Sequence, residues 1–163
     1  MGRRQSFEAG HTRKFLVVID DTTECERAVY YAARRAERTR GGLVMLYVIE
    51  PAEFQHWLGV EAIMRQEALD EADSVLGGFS EKVAAYSSVA PEHVVREGKH
   101  TEEIARLIDE DPDIAILVLA AGTGTEGPGP LVSALASRSI AGFSIPVTIV
   151  PGDLSDADID ALA

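Results

Sequence analysis

Four continuous apolar runs and one mixed run divide the chain, and between them the apolar positions fall back to every third or fourth residue. Residues 15–19, 43–49, 114–120 and 146–150 form the apolar runs. They are short, rich in branched side chains and mostly without a period of two, as strands covered on both faces of a parallel sheet require. Residues 93–97 mix polar and apolar side chains, the composition of a sheet edge. Between the first two runs, Ala28, Val29, Ala32, Ala33 and Ala36 recur at helical spacing, so this helix meets the sheet through small side chains and turns Arg27, Arg34, Arg35 and Arg38 to solvent. From Val60, the steps Met64, Ala68, Ala72, Val75, Phe79 and Val83 predict a long helix. Gly77-Gly78 inside it marks a bend or a close approach, and Pro91 closes it. A third helix begins near Thr101 with Ile104, Leu107 and Ile108 inward, and a short fourth is expected over 131–141 with Leu131, Leu135 and Ile140 apolar.

Strands alternating with helices predict an α/β fold, a single-domain doubly wound parallel sheet of five strands with helices on both faces. The folded domain spans 13–151. Residues 1–12 hold one aromatic and nothing periodic and read as a disordered leader; 152–163 form an acidic tail, frayed or a terminal helical turn. Asp20 and Asp21 end the first strand, and Asp21 or Thr22 is the expected cap of the first helix. In such sheets ligands bind beyond the carboxyl ends of the strands, where the winding reverses. If the first and fourth strands are neighbours, Asp20 faces the loop that follows the fourth.

That loop, Gly-Thr-Gly-Thr-Glu-Gly-Pro-Gly-Pro from Gly122 to Pro130, is where ligand chemistry is expected. It matches G-x-G-x-x-G literally. A dinucleotide fingerprint, however, follows the first strand, opens directly into a helix and has an acid about 20 residues later. A P-loop would place lysine and a hydroxyl where Pro130 and Leu131 stand. Pro128 and Pro130 lack the N–H groups that cradle phosphate, and Glu126 carries the wrong charge. The acidic pair would suit a phosphoacceptor site holding Mg²⁺, but the third strand ends without an aspartate and the fifth without a lysine. No serine, threonine or cysteine lies in an elbow motif, so no catalytic residue is nominated and the chain is read as no enzyme.

Composition narrows the partners. The formal charge is −12, from 27 acidic and 15 basic residues, which opposes binding to nucleic acid and to anionic membrane. No apolar run is long enough to span a bilayer, and the first residues carry no signal-like segment, so the cytoplasm is the expected location. The single Cys25 excludes an internal disulfide and is read as packing; His11, His56, His93 and His100 have no ligand spacing, so no metal site is expected. The connection 51–59, with Phe54, His56 and Trp57, is a packed surface loop or a lid.

In order and spacing these pieces resemble the universal stress proteins. The pieces are Phe-Leu-Val-Val-Ile-Asp-Asp ending the first strand, Leu-Tyr-Val-Ile-Glu at the second, Gly98 before a helix, Asp113 opening the fourth strand, and Ile-Pro-Val-Thr-Ile-Val at the last. The resemblance implies the strand order 3-2-1-4-5 of the adenine nucleotide alpha hydrolase-like fold, a stress-response or regulatory role, and a homodimer. In members that bind ATP it implies nucleoside contacts at Asp20 and Val48 and phosphates on G-x2-G-x9-G-(S/T). That frame falls here on Ala121, Gly124, Ala134 and Leu135, with Ala121 and Ala134 in place of glycine and Leu135 in place of the hydroxyl; moved by one it ends on Ser133-Ala134, and Gly122 lies within it, so Ala121, Gly122, Gly124, Ser133 and Ala134 are the implied phosphate-site residues. Such changes crowd a phosphate and remove a donor, so the chain is closer to members that do not bind ATP. No cofactor is firmly implied; ATP with Mg²⁺ is the candidate. The alternative is an ATP or AMP sensor, with at most slow hydrolysis, in which Gly122, Thr123, Gly124 and Thr125 form a rearranged phosphate loop. A third reading makes this loop and residues 54–57 a docking surface for an unknown protein partner.

Overall fold

The computed structural model describes residues 2–51, 60–125, 127–137 and 143–163, the side chains of 135–137 excepted. Its elements run β1 (Lys14–Ile19), α1 (Cys25–Arg38), β2 (Gly42–Ile49), α2 (Glu61–Tyr86), β3 (Glu92–Glu97), α3 (His100–Glu110), β4 (Ile114–Ala121), α4 (Pro130–Ser137), β5 (Val147–Pro151) and α5 (Asp156–Leu162). The five strands pair in parallel in the order β3-β2-β1-β4-β5. The doubly wound sheet is therefore as expected, with the mixed strand β3 at one edge and β5 at the other.

β1 explains why its sequence has no period of two. Phe15, Val17 and Ile19 join the core beneath α1, α2 and α5, while Leu16 and Val18 join the core beneath α3 and α4. Both faces are apolar because both are covered. The pairing of β1 with β4 slips between Lys14–Ile114 and Phe15–Ile116, so Ala115 is an extra residue that reverses the facing of β4 beyond it. Ile116 and Val118 consequently face the α1 side, and Leu117 and Leu119 the α3 side.

Three expectations change, and the open alternative for the tail is decided. The leader is held: the Gln5 N–H donates to the Pro112 carbonyl at 3.0 Å, and Arg4 Nη1 donates to the carbonyls of Asp111 (3.1 Å), Ile114 (3.3 Å) and Ile108. A polar segment need not be a free one, since the last carbonyls of α3 lack helical partners and attract a guanidinium. The tail is helical from Asp156 to Leu162, because Ser155 and Asp158 form a capping box and Ile159 is fully buried against the α1 side. Neither Asp21 nor Thr22 caps α1; the N-cap is Glu24, already in helical conformation and without a side-chain cap bond. An added Cβ at Gly77 or Gly78 would meet nothing within 4 Å, so the pair lies on the open side of α2 and makes no close approach. The expected packing of residues 54–57, and of Ile140, falls outside the described residues.

Candidate functional site

The carboxyl ends of β1, β2 and β4 open into adjoining clefts. Asp20 follows β1 and turns the chain: its Oδ1 accepts the Thr22 N–H at 3.0 Å and the Thr22 hydroxyl as well. Val48 is buried near the end of β2. Both residues line one cleft of about 390 Å³, together with Ile19, Tyr47 and Ile49, the acids Asp21, Glu50 and Glu71, and His100. The expected pairing of Asp20 with Val48 is thus a shared wall with a partly apolar floor.

A second cleft of about 530 Å³ runs from Asp20 and Asp21 across Lys99, His100 and Thr101 to Pro130, Leu131 and Ala134. Asp20 therefore faces the start of α4, because β1 and β4 are neighbours. Glu50 and His100 join the two clefts. His100 Nδ1 lies 2.7 Å from Glu50 Oε1, and this contact, ahead of the opposing effect of partial burial, holds the Glu50 carboxyl below its usual range.

The glycine loop stands apart from this pair. Gly122 and Gly124 line a cleft of about 400 Å³ with Thr23, Thr123, Thr125 and Gly152, and Ser133 lines another of about 500 Å³ with Thr22, Thr23, Gly129 and Pro130. Ala121, the last residue of β4, packs against the core, and its carbonyl accepts the Gly152 N–H at 2.8 Å. The loop engages its own donors: the Gly122 N–H reaches the Pro128 carbonyl at 3.0 Å and the Gly127 N–H reaches the Gly124 carbonyl at 3.3 Å.

Between the last two clefts stands Glu24, which lines both. Its Oε1 would lie 3.1 Å from a Cβ added to Gly122 and 3.5 Å from one added to Gly129, and its own Cβ only 2.6 Å from one added to Gly152. Side-chain carbon at Gly152 would collide here, so the glycines admit the glutamate. The sequence reading passed over Glu24. Its neighbours lie far along the chain, and only a glutamate at the first turn after the Asp20-Asp21 pair hinted at it.

No other chemistry gathers here. Cys25 is buried, and burial first of all pushes its thiol up to about 12, far from the thiolate a nucleophile needs. Among the described residues no group of three or more histidine, cysteine or acidic side chains is placed to hold a metal ion, and no helix is long and apolar enough to cross a membrane.

Comparison with known proteins places this geometry. The family model described as "Universal stress protein family" matches residues 11–151. None of the curated proteins matches the sequence. Among solved structures, UspA from Lactobacillus plantarum superposes with a TM-score of 0.67 at 21% identity, covering 85% of this chain and 97% of that one. A universal stress protein from Archaeoglobus fulgidus in complex with dAMP gives 0.58 at 16%, covering 85% and 97%. One from Arabidopsis thaliana with AMP bound gives 0.59 at 16%, covering 90% and 99%. Fold, strand order and the family match agree: the chain belongs to the universal stress protein family.

Proposed function

We propose that this chain is a non-catalytic regulatory protein of the cytoplasmic stress response, with a nucleotide site reduced to its nucleoside half. The observation that carries this is the contrast within the site. Asp20 and Val48 share a cleft with a partly apolar floor, fit for a base and a ribose, whereas the Gly122 and Gly127 amides are engaged within their own loop. Pro128 and Pro130 have no N–H to offer, and Ala134 stands where a glycine would admit a phosphate. A triphosphate without amide donors, a lysine or room for close approach loses several hydrogen bonds at about 1 kcal/mol each.

We place the homodimer contact at β5, an edge strand on which Ile149 is 43% exposed. An uncovered apolar edge favours pairing with a second copy. A mass near twice 17.5 kDa in light scattering at micromolar concentration is expected, and a monomer overturns this part.

The second reading is an ATP or AMP sensor using Mg²⁺, and the relatives solved with AMP and dAMP favour it. Calorimetry separates the two. Adenosine binding with weak or absent Mg-ATP binding is expected. Mg-ATP binding more tightly than adenosine, or ATP released from freshly denatured protein, makes the sensor reading correct. No heat with either ligand rejects both and leaves the loop as a surface for a protein partner.

A further inference from the structure

We infer that Glu24 sets the ligand specificity of this site: its carboxylate fills the place over the glycine loop that a phosphate would take, so the protein selects an uncharged nucleoside over its phosphates. This rests on the nucleoside reading above for the ligand's identity, but the effect of Glu24 on anions stands by itself.

Three observations converge. Glu24 lies in a collar of glycines from two separate loops: a Cβ on Gly152 would collide with the glutamate's own Cβ, and one on Gly122 would stand 3.1 Å from its Oε1, while at Gly129 the spacing is ordinary contact. Glu24 is also the sole ionisable residue among the described residues lining the two clefts on either side of it; the others are glycine, threonine, serine and proline. Its carboxylate is therefore the one charge among the described residues on the walls of both clefts. Finally, Gly129 directly precedes α4, so the carboxylate lies at the end of a helix that attracts anions. A ligand phosphate drawn to that end would meet like charge at short range.

Removing the charge should open the site, because donors remain. The hydroxyls of Thr22, Thr23, Thr123, Thr125 and Ser133 line the same two clefts, which the glutamate now divides. Glu24→Gln keeps the shape and removes the charge; Glu24→Ala removes both and joins the clefts. Asp109→Asn, exposed at the far end of α3, controls for net charge alone.

The test titrates adenosine, Mg-ATP and inorganic tripolyphosphate calorimetrically into the wild type and the three variants, with thermal unfolding as the check on folding. Both Glu24 variants should gain about tenfold or more in affinity for Mg-ATP and tripolyphosphate, about 1.4 kcal/mol, with adenosine unchanged and D109N like the wild type. Equal binding of Mg-ATP by wild type and Glu24 variants overturns the inference, as does weaker binding in the variants, which would mean that Glu24 helps to hold the metal. Tripolyphosphate gained without any adenosine binding upholds the role of Glu24 and rejects the nucleoside reading. Adenosine bound by all with no anion gained rejects Glu24 and leaves that reading intact.

Discussion

The two ends of the sheet treat their charges in opposite ways. At the amino end, Lys14 Nζ is 2.9 Å from both Asp111 Oδ2 and Glu92 Oε1, His11 is 2.6 Å from Asp113, and Arg4 reaches three carbonyls through Nη1, so these cations meet acceptors even though Arg4 Nε and Nη2 and Arg13 Nε are buried without a hydrogen bond among the described residues. At the carboxyl end, Asp20, Asp21, Glu50 and Glu71 crowd one cleft in which His100 is the sole basic side chain among the described residues, and Glu24 meets no cation among the described residues of either of its clefts. Clustering like charges costs stability, and the acids gather at the carboxyl edge, where the proposed ligand would bind. Substitutions at the amino end should therefore change stability and leave ligand binding alone, and those at the carboxyl end the reverse.

The largest effect is expected at Ile114, fully buried where β4 starts. Ile114→Ala leaves a cavity and should cost about 2–5 kcal/mol of unfolding free energy, read from urea denaturation. Adenosine affinity in the fraction that remains folded should be unchanged, and a parallel loss of binding would break the comparison. Next is Arg4→Ala, which removes a guanidinium shared by three carbonyls and should cost about 1–3 kcal/mol. Faster amide exchange or proteolysis across residues 2–12 should accompany it. No change in either would mean that the clasp does not persist in solution.

At the other end, Asp20→Ala should lower adenosine affinity about tenfold or more with a loss of about 1 kcal/mol in stability, since the two local turn bonds from the Thr22 N–H and hydroxyl that go with it are only partly buried. A larger loss of stability than of binding would make Asp20 a structural turn residue.

The smallest effect is pH-dependent and shared. Glu50 at the carboxyl end, through His100, and Glu110 at the amino end, through Arg96, both have lowered carboxyl values. A lowered folded value contributes stability that is fully present above the unfolded value, near pH 4.3, and lost as the pH falls through the folded one. Both groups are largely solvated, so the decline should be small. In a carboxyl NMR titration, His100→Ala should return Glu50 to the ordinary range and leave Glu110 where it was; movement of both would show that the ends are coupled.

The strands were legible because burial on both faces writes itself as an uninterrupted apolar run, and α1 and α3 because one buried stripe fixes a helical period. The leader and tail were not. Arg4 acts on carbonyls of Ile108, Asp111 and Ile114, and α5 depends on one buried Ile159 and a capping box, signals too short to register as a period. Asp20 was singled out by its place at the end of β1 and, with Val48 and Ala134, by resemblance; all three lie along the facing clefts. Glu24 was missed because its collar draws Gly122 and Gly129 from one loop and Gly152 from another, a closeness created by β4 and β5 pairing.

The strand order also sets a schedule for the ribosome. β1 lies between β2, whose pairing begins at Gly42, and β4, whose pairing begins at Ile114. The nascent chain can close β1 on β2 early, as a local βαβ unit, but its other apolar edge stays bare until residues 114–121 emerge. At about 5–20 residues per second that interval lasts roughly 4–14 s, during which an unpaired edge invites association with other chains. Because Arg4 takes the carbonyl of Ile114, the leader cannot latch before the same moment. Strand and latch close together, so translation speed through 50–113 sets how long the vulnerable half-sheet survives.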